Sequence, residues 1–224
     1  MGGKGLIEKT LKEVFGANLL PQIAKWVQYG SIHGDRVEQS LLRHTLNHLS
    51  QLVEEDGEFF FPEEVYLHPV PDDTLRTGKI AQEIDGDRCF VILSPACDLA
   101  IRDNGEFKTD RLLITEIEGF SKVEPEIVRE TKSAKKINKL LFEAFNNNHT
   151  SYRHWLPKTE FFQGGFINFR RITAHTKEEF DRGFVITSIQ IAPAFVKDIV
   201  SRFSSYYARQ GQPSIDCGAY LMDE

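Results

Sequence analysis

Apolar positions recur along the chain with two different periods. Between residues 5 and 28, Leu6, Leu11, Val14, Phe15, Leu19 and Ile23 fall mostly three to four apart, the spacing of a helix face. Gly16 and Pro21 interrupt that face, so one broken helix and two short ones are equal readings. A second helix is predicted over 35–55. Asp35 serves as its cap, Val37, Leu41, Leu42, Leu46, Leu49 and Val53 form its apolar face, and Asp56-Gly57 ends it. From 58 to 75 the pattern is lost among Pro62, Pro69 and Pro71, as in an extended connector. Short apolar runs then predict strands over 79–84, 88–94 and 111–117. Asp85-Gly86-Asp87 is the hairpin turn between the first two, and Asn104-Gly105 marks another turn. The helical period returns over 125–146, where Ala134, Ile137, Leu140, Leu141, Ala144 and Phe145 share a face. Strand texture resumes in FINFRRI after Gly164-Gly165 and in FVITSIQI after Gly183. A last helix starts at the first-turn Pro193 and stops at Gly211.

This order predicts an α+β fold: a small β-barrel with a helical N-terminal extension over 1–57, and a barrel domain over 58–224 that carries a helical insertion at about 118–163 and a C-terminal helix. The 224 residues suffice for a sizeable core, with 41% hydrophobic and 27% charged residues. The net charge of −6 argues against a protein coated in basic surface and leaves room for a local basic groove. Cys89, Cys97 and Cys217 make an odd count with no paired spacing, which suggests a reduced, cytoplasmic chain. No apolar run approaches the roughly 20 residues of a membrane span, and the N-terminus has no apolar signal core.

The strand residues carry a resemblance. RTGKI, DGDRCFVILSP, LLITEI, GGFINFRRI and IQIAPAFVKDIVSRF occur in an order that resembles the PemK/MazF family of bacterial toxins. The resemblance covers residues 76–117 and 164–207. It implies an SH3-like barrel, pairing into a homodimer or with a protein partner such as an antitoxin, and cleavage of single-stranded RNA without metal or cofactor. It places the family's catalytic Arg on Arg88 and its catalytic Thr on Thr115. Where the family has Pro, this chain has Cys89 and Ile114. The rival expectation is therefore a regulatory or protein-interaction module on the same barrel, without the chemistry.

Three other groups of residues offer chemistry. Cys97-Asp98 follows a strand ended by Ser94-Pro95. A thiolate there would act as a nucleophile if His154 were its base and Asp98 the group that orients the base, which gives a thiol-enzyme alternative. The apolar neighbours Ala96, Leu99 and Ala100, together with the Asp98 charge, predict instead an inert thiol and an Asp98 that accepts turn N–H groups. His44 and His48 stand four apart on a helix without the HExxH signature, and no metal site is expected. Lys135, Lys136 and Lys139 with Arg170 and Arg171 form the candidate nucleic-acid-binding set.

Overall fold

The computed structural model describes residues 5–54, 60–71, 74–103, 105, 107–129 and 131–209. The expected helix stops at Asp56-Gly57 and Gly211, the turn residue Asn104, and Cys217 lie outside them. The chain divides into two units, Met1–Phe60 and Phe61–Glu224.

The first unit is helical. α1 spans Leu6–Glu13, widens into a π-helical segment over Val14–Leu19 and tightens into a 3-10 turn over Leu20–Gln22. The widened segment contains Gly16, which interrupts the apolar face, and the 3-10 turn holds Pro21, whose ring nitrogen has no hydrogen to donate. α2 runs over Ile23–Glu54 and is kinked at His33 and Gly34. The non-helical angles at His33 and Gly34 divide α2 into two helical stretches, and the second begins at the Asp35 boundary that the sequence predicts. Gly34, with a φ of 9° and a ψ of −93°, lies at the break. His48 binds Asn18 through Nδ1 at 2.6 Å and meets His44 at 3.2 Å, which explains both imidazoles as packing groups.

The second unit is built on one curled antiparallel sheet. Its elements, in chain order, are β1 Tyr66–Leu67, β2 Lys79–Glu83, β3 Cys89–Ile92, β4 Leu112–Glu118, α3 Phe120–Val128, α4 Ala134–Phe145, β5 Arg153–Leu156, β6 Gly165–His175, α5 Lys177–Gly183, β7 Phe184–Ile191 and α6 Pro193–Tyr207. The strand order is β1-β7-β2-β3-β4-β6-β5, a seven-stranded half-barrel. The α+β class and the hairpin at Asp85-Gly86-Asp87 are as the sequence predicts. The single helix expected over 125–146 is corrected to two, α3 and α4, because Arg129 turns to a φ of 53° and ends the first. β1, β5 and α5 are additions to the expected elements.

Side chains alternate along β3 and divide the core. Val91 joins Ile80, Ile117, Ile167, Phe169 and Ile191 on the inner face, closed by Ile199 of α6. Phe90 and Ile92 join Ala81, Leu112 and Ile114 on the outer face, closed by Phe180 of α5. Further along the outer face, Val123 and Ile127 of α3 and Ala144 of α4 pack on Phe166. Each buried Val, Ile, Leu or Phe among them contributes about 1.5–3 kcal/mol of burial. Among the described residues no helix is long and apolar enough to cross a membrane.

Candidate functional site

The site grows from an irregularity in β6. Thr115 of β4 pairs with Ile172 and Ile117 pairs with Ile167, so the single residue Glu116 faces four residues, Asn168 to Arg171. Such a bulge bends the strand and re-aims its side chains. Thr115 closes it. Its hydroxyl, fully buried at 0% exposure, donates to the Asn168 carbonyl at 2.7 Å and lies 3.5 Å from the Arg171 carbonyl. Asn168 Oδ1 then accepts the Arg170 N–H at 3.0 Å and fixes the backbone from which Arg170 projects.

Beneath the bulge lies a charged network. Glu116 and Glu118 alternate with Ile117 and share a face of β4. The Glu118 side chain is 2% exposed. Its carboxylate accepts from Arg153 Nε at 3.2 Å and Nη2 at 3.1 Å, from Asn168 Nδ2 at 2.8 Å and from Arg171 Nε at 3.0 Å. Lys122 of α3 adds contacts to Glu116 at 3.1 Å and Glu118 at 3.5 Å, and Glu126 pairs with Arg153. Burial pushes the Glu118 carboxyl up; the Asn168 hydrogen bond, the Arg153 charge and hydrogen bond, and Lys122 outweigh it and hold the group below the usual carboxylate range. Gly165 makes this approach possible: its φ is 142°, and a Cβ there would meet the Glu118 carbonyl at 2.5 Å.

Above the network, Arg170 sits over a tyrosine ring. Its guanidinium carbon sits 3.8 Å from the centre of the Tyr152 ring, and its Nε donates to the Tyr206 hydroxyl at 3.0 Å. Arg153 approaches the same ring at 5.1 Å. Tyr207, exposed at the end of α6, donates to the Phe169 carbonyl, and Arg209 donates to Ser151. Arg170 pairs with no carboxylate among the described residues, whereas Arg171 is tied to Glu118. Three elements thus build one strip: the start of β5, the bulge of β6 and the end of α6.

The other candidate residues lie apart from this strip. Arg88 is exposed before β3. Its Nε and Nη2 are spent on the two Glu83 oxygens, and its guanidinium covers Phe90 on the outer face. Thr115 is opposite Val91, an inner-face residue, so the structure does not bring Arg88 and Thr115 together. Cys97 is exposed, and its thiol donates to Asp98 Oδ1 at 3.6 Å. Asp98 also pairs with Lys108, and its backbone N–H donates to the Pro95 carbonyl. His154 is buried on β5 opposite Ile167, 3.6 Å from Asp198 of α6, with no contact to Cys97. Burial, and then the charge of Arg202, lower its pKa from 6.5 to about 3. Asp198 would favour the charged ring but is mostly in water and screened, so the imidazole is neutral and its Nδ1 unpartnered. Lys135, Lys136 and Lys139 are exposed on α4, with Lys139 near Glu143. Among the described residues no group of three or more His, Cys, Asp or Glu side chains could hold a metal.

Sequence reasoning found Arg170 and Arg171 but not Glu118, Tyr152 or Tyr206. The signal was Glu-Ile-Glu inside an otherwise apolar strand, which requires buried cations nearby. No family model, no curated protein and no solved structure matches the chain.

Proposed function

We propose that the second unit is a PemK/MazF-like barrel that binds single-stranded RNA along the Tyr152–Arg170–Tyr206 strip, without using Arg88 and Thr115 to cut it. The observation that carries this reading is the Arg170 guanidinium held over Tyr152, its carbon 3.8 Å from the ring centre, bonded to Tyr206 and free of any carboxylate among the described residues. A guanidinium held over a ring keeps donors for phosphate oxygens, and tyrosine rings beside it offer faces for unstacked bases. Arg209 extends the positive charge, and the exposed Tyr207 extends the aromatic surface. The family reading draws support from the β2–β3–β4 meander, the later pairing of β6 and β7 onto it, and the helix opened by Pro193.

Binding without cutting follows from where the expected catalytic pair lies. A Thr hydroxyl at 0% exposure that is already donating to a carbonyl has no path to a phosphodiester. Arg88 directs Nε and Nη2 at Glu83, lies on the outer face and is not brought to Thr115, so the two do not form a catalytic pair.

The test is fluorescence anisotropy with a labelled single-stranded RNA at low salt, followed by a denaturing gel of the same RNA after incubation with a chelator. Arg170→Ala and Tyr152→Ala should each weaken binding by about tenfold, since one stacking contact is worth about 1–3 kcal/mol. The RNA should stay intact. Cleavage that disappears in Arg88→Ala would return the protein to the toxin reading, and wild-type affinity in both strip variants would end the present one.

A further inference from the structure

We infer that a second site, at the inner mouth of the half-barrel, receives the basic side chain of a partner protein. A groove of about 330 Å³ opens between the β2–β3 hairpin and the 160–164 loop. Its floor is the inner core itself: Ile80, Ile117, Ile189 and Phe162, all at least nine-tenths buried. Its rim carries two carboxylates, Asp87 and Glu160. Neither pairs with a cation among the described residues; the neighbouring Arg88 is paired with Glu83 instead. The half-buried Cys89 forms part of the wall, and burial, then the Asp87 charge, pushes its thiol pKa up.

The mouth is preformed. Thr159 and Phe162 close the loop on each other, by Thr159 N–H to the Phe162 carbonyl at 2.8 Å and Phe162 N–H to the Thr159 hydroxyl at 3.2 Å. Tyr66 anchors the loop start through its hydroxyl to the Pro157 carbonyl at 2.7 Å. Gly164, at a φ of 65°, sits where a Cβ would meet the Leu156 carbonyl at 2.5 Å, so the loop is seated tightly on the strand end. A rigid wall spares the occupant the cost of ordering it.

Charge and size select the occupant. An apolar floor under two unpaired carboxylates is complementary to an aliphatic stem that ends in a cation, which is the make-up of a lysine or arginine side chain. About 330 Å³ stands at the low end of ligand pockets and suits one long side chain rather than a large cofactor. This inference is independent of the RNA reading.

Two cysteines report on it in the full-length protein. Cys89 lines the groove, and the exposed Cys97 serves as an internal control. The protein is alkylated with iodoacetamide at neutral pH, alone and with a capped Leu-Arg-Gly peptide, and each cysteine is read by peptide mass. At a peptide concentration twice its dissociation constant, Cys89 should be protected about threefold while Cys97 is unchanged. Titration calorimetry with the same peptide gives a second readout that does not depend on thiol reactivity. The Asp87→Asn, Glu160→Gln double variant, with both changes on exposed residues, should lose protection and heat together. No binding in calorimetry up to millimolar peptide would overturn the inference. So would equal binding of a peptide with neutral citrulline in place of arginine, or undiminished binding to the double variant.

Discussion

Replacing Glu118 with Gln removes one charge from the centre of the network and changes almost nothing in size. The carboxylate now accepts four hydrogen bonds between 2.8 and 3.2 Å, three of them from guanidinium nitrogens. A carboxamide keeps one acceptor oxygen and turns an NH2 group toward those donors. Arg153, whose side chain is 8% exposed, is then left with Glu126 as its carboxylate partner. Breaking a buried pair by removing one partner costs about 3–5 kcal/mol. Glu126 and the half-exposed Arg171 recover some of that, so the lower end, about 3 kcal/mol, is expected. The assay is urea unfolding in a Trp26→Phe background, which leaves Trp155 as the only tryptophan and reports the second unit alone. The midpoint should fall with the slope unchanged. A double-mutant cycle with Arg153→Met isolates the pair, and the double variant should cost less than the two single changes summed. RNA affinity should fall as well, because Glu118 holds Asn168 and Asn168 holds the Arg170 backbone. A Glu118→Gln protein within about 0.5 kcal/mol of wild type, the usual range for a surface change, would refute the reasoning.

Three further outcomes follow from the same contacts. Thr115→Val should cost about 1–3 kcal/mol and loosen the bulge, since the Asn168 carbonyl loses its donor, while Thr115→Ser should behave as wild type in both unfolding and RNA binding. Because the buried His154 is neutral in the fold with a pKa of about 3, it excludes a proton that the unfolded chain takes up below about pH 6.5. Its contribution is therefore complete above that pH and declines by about 1.4 kcal/mol per unit as pH falls toward 3; urea midpoints from pH 7 to 5 should show the slope, and His154→Leu should flatten it. Under alkylation without peptide, the exposed Cys97 should label faster than Cys89, whose thiol is half-buried and shifted up; equal rates would show that exposure does not govern them.

The sequence carried the fold wherever periodicity alone decides. The strands around Ile80, Phe90 and Ile114, the hairpin turn, and the helix from Pro193 were all legible as local patterns. α5 carries a local signal as well: Thr176 and Glu179 form a capping box, with the Glu179 N–H donating to the Thr176 hydroxyl. β5 was not, because RHWL is four residues with two basic side chains, and its strand state depends on pairing with β6. The Arg129 break is equally non-local, since no Gly or Asn announces the positive φ. For the site, Arg170 and Arg171 could be chosen from charge. What separates them is the bulge, which turns Arg171 onto Glu118 and Arg170 onto Tyr152, and a bulge is a property of two strands together. The inertness expected of Cys97 rested on its neighbours' polarity, but Leu99 is buried while Cys97 points to solvent.

The location of bound RNA tests the central claim most directly. Short-wavelength irradiation of the wild-type protein with single-stranded RNA, followed by nuclease trimming and peptide mass analysis, identifies the aromatic residues in contact with bases. The account predicts crosslinked peptides that contain Tyr152, Tyr206 or Tyr207, and their loss in Arg170→Ala. Crosslinks confined to α4 beside Lys135, Lys136 and Lys139, or undiminished at the tyrosines in Arg170→Ala, would contradict it.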